Sequence, residues 1–86
     1  MGDLAGARPY YERALAIYEQ ALGPDHPDTA RSLNNLAILC YHERQLAEAA
    51  RLMRRALVIR EAALGPNHPD TQSSRQSLAV IIEQQT

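Results

Sequence analysis

The chain repeats itself, and that repetition constrains the fold more than any other feature. Residues 22–29 read Leu-Gly-Pro-Asp-His-Pro-Asp-Thr, and residues 64–71 read Leu-Gly-Pro-Asn-His-Pro-Asp-Thr, an offset of 42. Sliding the sequence against itself by that offset makes 19 of the 44 overlapping pairs identical, among them Leu15/Leu57, Ile17/Ile59, Leu36/Leu78 and Ala37/Ala79. A fixed period of 20–50 residues is the mark of stacked structural units, each burying its apolar face on the next. Two such units nearly exhaust the 86 residues, which leaves no room for a separate domain or linker.

The repeated segment carries its own punctuation. Gly23 and Gly65 suit the residue just past a helix end, and Pro24 and Pro66 prevent the helix from continuing. Pro27 and Pro69 fit the first position of a following helix, where the missing N–H costs nothing. Asp28 and Asp70 then lie near the positive end of that helix dipole, and Asp28 is also a candidate N-cap. Apolar residues three and four apart predict helices over 3–22, 28–42, 46–64 and 70–85. Asp3 is the expected N-cap of the first, and Pro9 removes one backbone bond from its early turns. The short connections imply antiparallel neighbours. Abundant Ala, Leu, Arg, Glu and Gln support helix throughout.

Composition excludes several classes of function. The formal net charge is −1, with nine Arg and no Lys, so no bulk positive field favours nucleic acid or an anionic membrane. A single Cys40 excludes an internal disulfide framework and a multi-Cys metal centre. No apolar run approaches the ~20 residues that span a bilayer. The N-terminus lacks the order of a secretory signal, and a cytoplasmic location is expected. A chain this short is not expected to build a deep catalytic pocket alone.

The pattern resembles the tetratricopeptide repeat, in the 42-residue variety found in kinesin light chains and many bacterial proteins. The residues that carry the likeness are Ser32-Leu33-Asn34-Asn35-Leu36-Ala37, then Leu46-Ala47-Glu48-Ala49-Ala50, then Arg55-Ala56-Leu57-Val58-Ile59-Arg60-Glu61, then Leu64-Gly65-Pro66-Asn67-His68-Pro69-Asp70. They extend over essentially the whole chain. The resemblance implies an all-α solenoid of antiparallel helix pairs, each a helix A followed by a helix B, with about two repeats. Ala37, Ala49 and Ala56 match the small close-contact positions. Cys40, Leu46 and Met53 stand where the family usually has an aromatic residue, and Arg44 where it usually has Gly. Arg75 and Ser77 replace Leu33 and Asn35 of the first helix A, so the last helix is expected to be less committed to burial.

The helix order reads B–A–B–A. Repeat arrays generally rely on about three repeats and polar capping ends. Leu4, Tyr11 and Leu15 at one end, and Leu78, Ile81 and Ile82 at the other, are therefore expected to lack neighbours and to serve self-association. Either the chain is a segment of a longer array or copies pair their ends, head to tail.

In this family ligands lie in the concave groove lined by helix A. The matching residues are Arg31, Asn34, Asn35, Ile38, Tyr41 and His42, then Ser73, Gln76, Ser77, Val80, Glu83 and Gln84. Asn35 matches an Asn that holds a peptide backbone or terminal carboxylate, since an amide offers both donors and an acceptor. The alternative is that Asn35 only bridges neighbouring helices. The family's carboxylate-clamping Lys residues are absent.

The two His-Pro-Asp tripeptides invite comparison with the loop of J-domain co-chaperones and with a metal site. Their recurrence at the structural period, with helix-start roles for Pro and Asp, assigns them to structure. Cys40 reads as a buried, inert thiol beside Leu36 and Ala37. Arg51, Arg54, Arg55 and Arg60 read as a solvated basic face with Glu48 and Glu61 as partners. Tyr10, Tyr11 and Tyr18 read as core or groove wall, without the basic interleaving of a base-stacking surface.

The sequence thus predicts a non-catalytic scaffold that binds a peptide or a partner helix in the helix A groove, with no cofactor or metal and with a protein or a second copy of itself as its partner. The alternatives are an assembly element without a ligand of its own and a regulatory appendage of a larger enzyme.

Overall fold

A computed structural model describes the backbone of residues 4–85 and the side chains of residues 7–85. The Asp3 cap and the Leu4 end contact expected from the sequence lie outside these residues. The described residues form four helices, α1 (Leu4–Leu22), α2 (Pro27–His42), α3 (Leu46–Leu64) and α4 (Pro69–Gln85), with no strand among them. The end of α1 and both ends of α2, α3 and α4 lie within one residue of the sequence expectation. Each helix packs on the next in chain order, α1 on α2, α2 on α3 and α3 on α4. The molecule measures 34 × 32 × 20 Å. Its thinnest dimension is two helix diameters, as two layers of helices require.

The turns show why the helices begin and end where they do. Gly23 and Gly65 follow α1 and α3 with φ of +97° and +92°, a region that residues with a Cβ rarely enter. Pro27 and Pro69 are the first residues of α2 and α4. The cap preceding them is not Asp28 but histidine. The His26 Nδ1 accepts the Asp28 N–H at 3.0 Å, and the His68 Nδ1 accepts the Asp70 N–H at the same distance. An imidazole nitrogen here takes the place of the usual Ser or Asp oxygen on an orphan helix donor. The Thr29 hydroxyl ties the start of α2 back to the Gly23 carbonyl at 2.8 Å. Between α2 and α3, Arg44 adopts φ +64°, the conformation that the family's Gly supplies at this turn.

The core lies mainly between α2 and α3. Ala30, Leu33, Ala37 and Cys40 of α2 are fully enclosed, as are Ala49, Met53 and Ala56 of α3. Four alanines among these seven residues leave little side-chain bulk between the two backbones, which is how such helices approach closely. Leu15 of α1 and Ile81 of α4 join the same core cluster, with Ala7, Tyr11, Tyr41 and Leu78 packed against it.

This corrects the reading of the chain ends. Leu15 and Ile81 are buried, and Tyr11 and Leu78 are half-buried. Leu15 and Ile81 are covered by their own neighbouring helices, and Tyr11 and Leu78 are partly covered. The stripe through Tyr11 and Leu15 is the side of α1 that packs against the core. Ile82, 37% exposed, is the one described member of that set on the surface.

Candidate functional site

Helices α2 and α4, the two of type A, both pack on α3 and are joined by the Ser74–Asn34 hydrogen bond. Between them runs a cleft of about 390 Å³, lined by Ile38, Tyr41, His42, Met53, Gln76, Ser77, Val80 and Ile81. Ile38, Tyr41 and His42 are spaced three and four apart, so they share one face of α2. Gln76, Ser77 and Val80 do the same on α4. Met53 of α3 and Ile81 of α4, both buried, form the floor. Ile38 and Val80 stand partly exposed on the walls.

The chemistry of the cleft is mainly apolar. No Asp, Glu or Arg lines it. Polar capacity comes from the Tyr41 hydroxyl, the His42 ring, the Gln76 amide and the Ser77 hydroxyl, which together offer both donors and acceptors. The Tyr41 and His42 rings meet edge to face with centroids 5.6 Å apart, which steadies one wall.

Of the residues the sequence assigned to the groove, Ile38, Tyr41, His42, Gln76, Ser77 and Val80 line this cleft. Arg31, Asn34, Asn35 and Ser73 do not. Arg31 is exposed and lies 3.9 Å from the Asp28 carboxylate. Asn35 and Ser73 are exposed, as are Glu83 and Gln84 near the end of α4. Asn34 is half-buried, and its Oδ1 accepts from the Ser74 hydroxyl at 3.4 Å. The helix-bridging role considered for Asn35 thus belongs to Asn34. Sequence reasoning missed Met53 and Ile81, because core residues that also floor a cleft carry no separate signal.

Beside the cleft lies a buried polar junction. Arg60 of α3, 8% exposed, donates from Nη1 to the Ser74 hydroxyl at 2.8 Å and to the Asp70 carbonyl at 3.2 Å. Burial pulls the Arg60 guanidinium below its usual range, nearby Asp70 opposes that pull, and Arg31 adds to it. Arg60 therefore does not belong to the solvated basic face. Arg51 and Arg55 do hold ion pairs, with Glu48 and Glu19. The Arg51 guanidinium bonds the Glu48 carboxylate and holds its pKa below the ordinary value. Arg8 of α1 reaches Glu43 at 2.9 Å and Glu12 at 3.1 Å, and so fastens α1 to the end of α2.

The remaining candidates carry no chemistry. Burial pushes the Cys40 thiol above its usual range, the opposite of what a nucleophile needs. His26 and His68 are occupied as helix caps. Among the described residues no group of three His, Cys, Asp or Glu could hold a metal ion, and no helix is long and apolar enough to cross a membrane.

Comparison with known proteins agrees with this architecture. Residues 1–62 match the sequence model of the tetratricopeptide repeat. The clustered mitochondria protein of Arabidopsis thaliana is 47% identical over 49 residues, 57% of this chain and 3% of that protein. Nephrocystin-3 of Homo sapiens is 44% identical over 52 residues, 60% of this chain and 4% of that protein. The human clustered mitochondria protein homolog is 34% identical over 53 residues, 62% of this chain and 4% of that protein. The chain therefore spans only a small fraction of the length of the curated relatives it matches.

Proposed function

Since this chain belongs to the tetratricopeptide repeat family, a family of protein-interaction scaffolds, we propose that it is a non-catalytic module that holds an extended peptide in the cleft between α2 and α4. One observation carries the proposal: a cleft of about 390 Å³ lined by no carboxylate or guanidinium, with an apolar floor and hydrogen-bonding groups along its walls. Its size falls within the range of small-ligand pockets, and it has room for apolar side chains. Burying one aliphatic side chain there contributes about 1.5–3 kcal/mol. Tyr41, His42, Gln76 and Ser77 then satisfy peptide N–H and C=O groups that would otherwise lose water without replacement. His42 and Ser77 have no carboxylate beside them in the cleft lining to complete a catalytic set, and their role in this reading is recognition.

The test is selection from a random-peptide display library on the immobilised chain, followed by titration of the selected peptide against ¹⁵N-labelled protein. The expected result is a set of amide shifts concentrated at Ile38, Tyr41, Val80 and Ile81. Shifts confined to α1 or to the 23–26 turn, or a library that yields no binder, would overturn the reading.

A further inference from the structure

The turns that lead into α2 and α4 use the same uncommon device. His26 is extended just before α2, with φ −79° and ψ 144°, and its Nδ1 accepts the Asp28 N–H at 3.0 Å. His68 repeats the contact before α4, on the Asp70 N–H at 3.0 Å. The preceding residue changes from Asp25 to Asn67, yet the histidine recurs at the 42-residue offset. An imidazole can act as this cap in one state only. The neutral ring has one nitrogen that donates and one that accepts, whereas imidazolium donates from both. With Nδ1 accepting, the ring proton is on Nε2, and a second proton goes to Nδ1, the atom that holds the cap. It removes the acceptor from the helix N–H and sets a positive charge at the positive end of the helix dipole. Ser, Thr and Asn caps do not titrate, and Asp caps titrate well below neutral pH. Histidine is the capping side chain whose charge changes between about pH 5 and pH 8.

Charged groups lie around both rings. His26 has Asp25 and Asp28 on its own segment, Glu19 near the end of α1, and Arg54 and Arg55 of α3, which share a hollow with Asp25. Arg55 holds Glu19 at 3.0 Å. His68 has Asp70 on its own segment and Arg75 of α4, which bonds the Pro66 carbonyl and Glu61 of α3. Arg60 of α3 bonds the Asp70 carbonyl. The carboxylates attract an imidazolium and the guanidinium groups repel it. No second acceptor for the Asp28 or Asp70 N–H is seen among the described residues. Both rings are half-buried, so they exchange protons with bulk water.

We propose that His26 and His68 make these two turns acid-sensitive joints: each ring holds the first turn of the following helix while Nδ1 is free, and protonation releases it. In the folded chain a capping ring keeps one proton, whereas imidazoles of the unfolded chain take a second below about pH 6.5. The unfolded state then binds more protons, so this stabilisation is complete above that pH and is lost as the solution is acidified. Helices α2 and α4 loosen at their first turns. Helix α3 begins after Gln45, with no side-chain cap, and has no such joint. The device acts whatever the cleft binds.

Nitrogen-15 spectra of the 86-residue chain, titrated from about pH 7.5 to about pH 5, test this. At the upper end Nδ1 of both rings is expected to show the shift of an unprotonated nitrogen. The Asp28 and Asp70 amide signals are expected to move as His26 and His68 titrate, while that of Ala47, at the same position of α3, follows neither ring. Over the same range the thermal midpoint of the parent is expected to fall by about 4–8 °C more than that of a chain carrying both His26→Asn and His68→Asn, since Asn caps without titrating. Rings whose unprotonated nitrogen at about pH 7.5 is Nε2 overturn the proposal. So do Asp28 and Asp70 amides that ignore the ring titrations, or an equal fall in midpoint for the parent and the double variant. Should the double variant fail to fold, the spectra of the parent decide.

Discussion

The Arg60 guanidinium of α3 and the Ser74 hydroxyl of α4 meet at 2.8 Å in the interior of the protein. Ser74 in turn reaches Asn34 of α2, so three helices share one chain of hydrogen bonds. No ion pair to Arg60 is seen among the described residues, so its buried charge rests on neutral oxygens. Through it α2 and α4 are joined to each other and to α3.

Removing one partner from such a junction costs more than replacing the charge. Ser74→Ala leaves the Arg60 guanidinium buried with a missing acceptor and is expected to destabilise the fold by about 1–3 kcal/mol. Arg60→Met removes the charge while keeping the length of the side chain, and is expected to remain within about 1 kcal/mol of the parent. In the Arg60→Met background, Ser74→Ala should become nearly neutral. Urea unfolding of the four chains gives this coupling directly. A Ser74→Ala chain as stable as the parent would contradict the assignment.

The two repeats contain equivalent threonines in unequal circumstances. The Thr29 hydroxyl donates to the Gly23 carbonyl, whereas the buried Thr71 hydroxyl has no partner among the described residues. Thr29→Val is expected to cost about 1 kcal/mol, and Thr71→Val to be neutral or slightly stabilising, because it replaces an unpaired buried hydroxyl with a methyl group. Thermal unfolding of both variants checks this difference, and equal losses would refute it.

Arg44 holds φ at +64° in the α2–α3 turn. A side chain in that region costs roughly 1–2 kcal/mol, while Gly loses up to about 1 kcal/mol of backbone entropy on folding. Arg44→Gly is accordingly expected to leave stability unchanged or raise it by up to about 1 kcal/mol, and Arg44→Val to lower it. A midpoint lower in Arg44→Gly than in Arg44→Val would overturn this account of the turn.

The helices were legible because Gly23, Pro24 and Pro27 recur at Gly65, Pro66 and Pro69, and each recurrence marks a stop and a start. Six cleft residues were legible because helix A of the repeat family presents one face to the groove, and Ile38, Tyr41, Gln76 and Val80 fall on it. The assignment of the end faces failed at Leu15 and Ile81. A helix of type B meets a neighbour on each side, and a list of its apolar residues does not separate the two sides. Comparison across the 42-residue offset does, since Tyr10 and Ile17 are exposed where their counterparts Leu52 and Ile59 are buried. Arg60 misled for another reason. Among Arg51, Arg54 and Arg55 it reads as surface, yet it lies seven residues from Met53 and so shares the buried face of that residue. Histidine capping was hidden because a ring nitrogen is an uncommon substitute for a hydroxyl or carboxylate oxygen.

The central claim is that recognition takes place between α2 and α4. Val80 stands on the cleft wall and Val58 in a separate hollow formed by Pro24, Asp25, Arg54, Arg55 and Ile59. Both are exposed, at 46% and 64%, so glutamate is tolerated at either position without loss of fold. The decisive measurement is the affinity of one display-selected peptide for the parent chain, Val80→Glu and Val58→Glu by isothermal titration calorimetry. The account predicts a loss of at least about tenfold for Val80→Glu, equivalent to about 1.4 kcal/mol, and no change for Val58→Glu. Equal affinity for the parent and Val80→Glu, or a loss confined to Val58→Glu, would contradict it.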